Sequence, residues 1–176
     1  MVFGVFAGVL LMGIAVIFFP SAALASSASF YFSESVSLEE EGMFSVDVMV
    51  ATDDVAVNAA EGSIIFDAET LNVVDISIKR SAFHFWVTEP SVTHASTTLK
   101  TQTTASSTID FLGGTIWGFH GFAPIMTITF KRLTASSSEL FFSSGGIYAA
   151  DGRGTNVTSG MDSARQAIDE MAPFVA

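Results

Sequence analysis

An all-β chain, folded as an antiparallel β-sandwich with jelly-roll topology and about nine strands, is what this sequence predicts. Three observations carry the prediction. Short runs rich in Val, Ile, Phe and Thr alternate apolar and polar residues with period two. Glycine and aspartate clusters punctuate them at regular spacing. Between these runs there is almost no helical periodicity, so the crossover helices of a parallel α/β sheet are missing.

Taken in order, the chain opens on a continuous uncharged apolar run from Val2 to Phe19, followed by Pro20 and Ala23-Leu24-Ala25 before Ser26. Small residues at the minus-three and minus-one positions read as a secretory signal cleaved after Ala25. The length of the run, nearly enough to cross a bilayer as a helix, supports a retained N-terminal membrane anchor as the alternative. Either reading makes the remainder an exported, extracellular or cell-surface domain. The organisation expected is residues 1–25 as signal or anchor, 26–158 as the sandwich, and 159–176 as a linker or short C-terminal helix.

Ser29 to Phe32 is a short aromatic strand, and Glu39-Glu40-Glu41 lies in the polar connection after it. Phe44 to Val50 alternates strictly, with Phe44, Val46, Val48 and Val50 inward and Ser45, Asp47 and Met49 outward. After a turn at Asp53-Asp54, the same period puts Gly62, Ile64 and Phe66 on the core side and Glu61, Ser63 and Ile65 on the other. Asp67-Ala68-Glu69-Thr70 breaks this run from Leu71 to Ile78. Ala82 to Val87 places Phe83, Phe85 and Val87 together on one face, with Phe83 and Phe85 as core, His84 and Trp86 opposite and Pro90 ending the strand. Thr93 to Ser107 suits exposed edge strands or a mobile hairpin. Ile109 to Leu112 leads into Gly113 to Phe122, read as a glycine-rich aromatic loop. Ile125 to Phe130, Glu139 to Phe142 and Ile147-Tyr148 supply the last strands, with turns at Gly145-Gly146 and Asp151 to Gly154. Met161, Ala164, Ile168 and Met171 then carry a helical spacing that ends at Pro173.

Composition narrows the function. Eighteen acidic residues face seven Lys and Arg, a formal net charge of −11, and no basic stripe is present to hold phosphates. Nucleic acid is therefore an unsuitable partner. With no cysteine there is no disulfide, thiol chemistry or cysteine zinc site. The sequence lacks a Gly-x-Ser-x-Gly elbow, a phosphate-cradling glycine motif and a His-Glu-x-x-His pair, so it points to no enzyme.

The order of motifs resembles a cohesin domain over roughly Ser29 to Val157, in the superfamily that also holds certain cellulose-binding modules. The resemblance rests on Glu41-Gly42-Met43-Phe44-Ser45-Val46-Asp47-Val48, an acidic turn before the second strand. It rests further on Val57-Asn58-Ala59-Ala60-Glu61 and on Ile65 to Val74, a strand, an Asp-initiated turn, a fixed Leu and an apolar strand. Ile125 to Phe130 and Ala149 to Gly154 fit the later strands. The resemblance implies a non-catalytic jelly roll whose flat outer sheet docks a calcium-loaded helical dockerin module. Glu61 falls at an acidic dockerin contact of many cohesins, and Ser63 and Ile65 continue that face. Ala59 departs from an Asn contact, and Asp67-Ala68 replaces the usual Asp-Pro.

A polysaccharide is the alternative ligand, for exposed rings stack on sugar faces. Trp117, Phe119 and Phe122, with Trp86 and His84, form the candidate platform; the competing reading is that these rings cap the core. No cofactor is implied. Asp151 to Asn156 has oxygen donors for calcium, but without the EF-hand spacing an ordinary turn is the simpler reading. His84, His94 and His120 are scattered, and Asn156-Val157-Thr158 fits a glycosylation sequon.

Overall fold

The computed structural model describes residues 27–37, 42–99, 102–136 and 138–163. The N-terminal apolar run, Glu39 to Glu41 and the helical spacing beyond Ser163 lie outside the described residues. Among the described residues seven strands are formed: β1 (Ala28–Ser37), β2 (Met43–Asp67), β3 (Leu71–Ser77), β4 (Phe85–Leu99), β5 (Gln102–Arg132), β6 (Leu140–Ala149) and β7 (Thr158–Met161). Two are unusually long and serve both layers of a sandwich. The first half of β2 pairs with β1 and with the second half of β5, which also pairs with β3. The second half of β2 pairs with β6 and with the first half of β5, which also pairs with β4. One layer thus runs β3-β5-β2-β1-β7 and the other β4-β5-β2-β6. Counting β2 and β5 once in each layer turns seven strands into the expected nine. All pairings are antiparallel except β1 with β7, which is parallel.

Alternation built these layers as the sequence predicts. Phe44, Val46, Val48 and Val50 are buried from the first layer, and Ala60, Ile64 and Phe66 from the second. Aromatic edges join the layers: Phe66 meets Phe130 at 5.5 Å and Phe30 meets Phe111 at 6.0 Å between ring centroids. Phe142 stacks on both Phe30 and Phe32. Gly62 faces the same core, where an added Cβ would lie 2.7 Å from the Phe111 ring.

Both long strands change layers at one end of the sandwich. Pairing jumps from Thr52–Gly121 to Val57–Phe119 and then to Ala59–Gly114, so several residues of each strand are locally unpaired. Such irregularities bend strands and let one strand turn a sandwich corner. The glycine-rich segment Gly113 to Phe122 is therefore no loop; it is the corner of β5. Gly118 shows why the sequence is glycine-rich, with φ +64° and no space for a Cβ between Ala150 and Ala56.

Two further expectations are corrected around Pro90. β4 does not end there but continues to Leu99, because Pro lies in a register shift between Thr88 and Ser91 on an edge strand. An edge or a bulge tolerates the missing N–H. Neither Phe85 nor Val87 is core: they are 46% and 72% exposed, whereas Trp86 packs against the core. Phe83 is buried as expected, but it precedes the strand, in a segment held by His84 N–H to Gly114 O (2.8 Å) and Ala82 N–H to Pro124 O (2.9 Å). Period two cannot be carried from this connection into β4. Thr93 to Ser107 does form a hairpin, with Leu99 paired to Gln102.

Candidate functional site

The outer face of the β4-β5-β2-β6 layer carries the outward residues of the Glu61 strand. Glu61 stands near its centre, paired with Leu112 of β5 on one side and Gly146 of β6 on the other. Ser63 pairs with Asp110 and Ser144, and Ile65 with Thr108 and Phe141. Strand alternation points all three away from the core, as the sequence requires: Glu61 is exposed and Ser63 and Ile65 are half-buried.

Neighbouring strands hold these side chains in place. The Tyr148 hydroxyl of β6 donates to Glu61 Oε1, and Ser63 Oγ donates to Asp110 Oδ1. Hydrogen bonding to Glu61, helped by burial and by the carboxylate's charge, raises the Tyr148 phenol above its ordinary 10.0. A shallow cleft of about 350 Å³ opens over this region, lined by Glu61, Ser63, Thr88, Asp110, Leu112 and Ser144 among others. Glu61 and Asp110 are diagonal neighbours across the β2–β5 pair, a separation of about 7–8 Å in antiparallel sheets. The result is a shallow, hydroxyl-rich surface with two carboxylates, Glu61 and Asp110, and apolar contact from Leu112 and Ile65, suited to a partner carrying cationic and hydroxyl side chains.

Asp110, Leu112, Thr88, Ser144 and Tyr148 were not singled out from sequence. For Asp110 a signal existed, because alternation against the buried Ile109 and Phe111 already turns it outward. Register alone sets it beside Ser63.

The candidate aromatic platform is not assembled as one surface. Trp86 and Phe119 are half-buried against Phe83, with centroids at 5.8 and 6.2 Å. Trp117 is 83% exposed at the β5 corner, and Phe122, 78% exposed, lies edge-on to Tyr31 over the other layer. His84 Nδ1 meets Thr115 Oγ1 at 3.0 Å and His94 Nδ1 meets Ser107 Oγ at 2.8 Å, on separate segments.

Asp151 is committed to its own turn. It accepts from Arg153 N–H (2.8 Å) and Thr155 Oγ1 (2.5 Å), and these bonds hold its carboxyl below the usual value. Among the described residues no three His, Cys, Asp or Glu side chains gather to hold a metal ion. Asp67 likewise caps a turn, accepting from Glu69 N–H at 2.8 Å.

No family model and no curated relative matches the chain. Solved structures do. CaCohA2 of Clostridium acetobutylicum, in its complex with CaDoc0917, is similar at 15% identity and TM-score 0.50, covering 77% of this chain and 97% of its own. The seventh ScaB type I cohesin from Pseudobacteroides cellulosolvens is similar at 11% identity and TM-score 0.50, covering 76% and 86%. A non-cellulosomal cohesin from Archaeoglobus fulgidus also matches, at 14% identity and TM-score 0.45. The fold of this chain is that of cohesin modules.

Proposed function

We propose that the chain is a non-catalytic, cohesin-like module that attaches a protein partner, of dockerin type, at the cell surface after export through its N-terminal segment. The observation that carries the reading is the outer face of the β4-β5-β2-β6 layer. There Glu61, Ser63 and Ile65 stand in a row on β2, an inner strand of the layer, with Asp110 and Ser144 beside them. The similar CaCohA2 module is itself solved in a complex, which supports attachment as the use of such a fold.

Glu61 supplies charge and Leu112 and Ile65 supply apolar contact, while Tyr148 and Ser63 pre-orient the carboxylates so that less side-chain freedom is lost on binding. A carbohydrate platform has less support, because Trp86 and Phe119 are half-buried against Phe83 and only Trp117 and Phe122 of its four rings are exposed.

Calorimetric titration against a panel of dockerins tests the proposal. A partner should bind the native chain and bind Glu61→Lys at least about tenfold more weakly, a change of 1.4 kcal/mol. The fold should survive, since Glu61 is exposed. A complex indifferent to Glu61→Lys would remove this face as the site.

A further inference from the structure

The corner of β5 carries an exposed apolar tip that the docking reading does not use. Ile116, Trp117 and Phe122 are 72%, 83% and 78% exposed. Trp117 and Phe122 are five residues apart, so their Cα atoms lie within about 17 Å even if the chain were straight. Three large apolar side chains facing solvent at one end of the sandwich cost solubility unless something covers them.

The way the chain enters the domain indicates what covers it. Ser27 accepts the Asp53 N–H at 3.0 Å, and its hydroxyl donates to Asp53 Oδ2 at 2.6 Å. Thr52, adjacent, pairs with both Ala28 and Gly121, and Gly121 N–H donates to Thr52 Oγ1 at 2.8 Å. Ser29, Ala51 and Phe122 lie in one row across three strands, which places Phe122 about 10 Å from Ser29. Gly118 packs against Ala56 and Ala150, next to the same crossing. The 26 residues that precede Ser27 therefore join the fold at the end that bears the tip. Their apolar run, Val2 to Phe19, would span about 27 Å as a helix, close to the hydrocarbon thickness of a bilayer.

We infer that the N-terminal run is a retained anchor and that Ile116, Trp117 and Phe122 rest in the bilayer interface beside it. Trp and Tyr favour that layer because one side of the ring is apolar and the other tolerates water. Tyr31, edge-on to Phe122, extends the same apolar surface. Asp53, Asp54 and Asp151 are exposed at this end beside Arg153, so a zwitterionic surface suits the tip and an anionic one repels it. Docking by the tip would tether the sandwich at its corner and leave the Glu61 face free at the side. The inference does not depend on what that face binds.

The test uses the full chain reconstituted in phosphatidylcholine vesicles, with and without brominated acyl chains, as wild type and as Trp117→Phe. Trp117 projects into solvent, so its replacement should leave the fold intact. Their difference spectrum belongs to Trp117. It should be blue-shifted and lose intensity with brominated lipid, while the remaining Trp86 emission in Trp117→Phe should be unchanged. Phosphatidylglycerol should weaken the effect. Trp117 emission that stays red and unquenched would overturn the inference, as would an N-terminus at Ser26 in chain isolated from cells. A blue shift that follows protein concentration instead of bromination would reassign the tip to self-association.

Discussion

Gly114 is the point where β2, β4 and β5 converge, and replacing it with Ala probes the architecture directly. A Cβ there would lie 2.5 Å from the Asn58 carbonyl oxygen and 2.9 Å from the Phe85 ring. Close C···O approaches in proteins stop at about 3.3 Å, so the overlap with the backbone oxygen is about 0.8 Å. A backbone atom cannot swing aside as a side chain can, and β2 must move away from β5 near the Ala59–Gly114 pair. Overpacking costs about 1–3 kcal/mol and a weakened ladder bond about 1 kcal/mol, against a gain of about 0.4–1 kcal/mol from a stiffer unfolded chain. The net loss is about 2 kcal/mol, a drop of about 4–8 °C in Tm for a domain of this size. Urea unfolding followed by tryptophan fluorescence measures it. Gly160→Ala is the matched control, a strand glycine whose added Cβ would meet only Ser29 Cβ at an ordinary 3.6 Å. If Gly114→Ala were no more destabilising than Gly160→Ala, the close approach of β2 and β5 at the corner would be wrong.

Three other outcomes follow from the hydrogen-bonded groups. Asp47, almost buried, accepts from Arg80 at 2.7 and 2.8 Å and from Thr127 at 2.7 Å. Arg80→Ala should cost at most about 1 kcal/mol because Arg80 is largely exposed, whereas Asp47→Ala should cost about 2 kcal/mol by also removing the acceptor of the Thr127 hydroxyl; a double-mutant cycle in urea separates them. Tyr31, through burial, and Tyr148, chiefly through Glu61, have phenols raised above 10.0, so both should ionise late in an ultraviolet titration. Their stabilising effect is complete below the unfolded value and is lost as pH rises through the folded one; Glu61→Gln should move the Tyr148 midpoint down. Asp151 has the opposite sign. Its carboxyl is lowered from 3.8, so its contribution is present above that value and disappears as pH falls through the folded one, and Asp151→Asn should flatten the acid limb of urea midpoint against pH.

Much of the sandwich was legible in the chain because a half-buried strand repeats every two residues, and that period can be read without a partner. Phe44 to Val50 and Gly62 to Phe66 turned inward as alternation requires, and Glu61, Ser63 and Ile65 turned outward. The reading failed where the period was interrupted. Phe85 was assigned to the core by counting from Phe83, but the two are separated by the entry into β4, and the face flips between them. Gly113 to Phe122 reads as a loop because glycines and aromatics mark turns locally, yet it remains in strand while bending from one layer to the other.

By itself, then, the sequence determined the class of fold, the inward and outward faces of its regular strands, the Asp67 turn and the acidic character of the surface. These are local or compositional properties, and each residue carries its share of them. Only tertiary structure decided that β2 and β5 serve both layers, that Tyr148 and Asp110 arrive beside Glu61 and Ser63, and that Trp117 is exposed while Trp86 is half-buried. Register and corner geometry join residues as far apart as Glu61 and Tyr148, and no period along the chain encodes which strand will lie beside which.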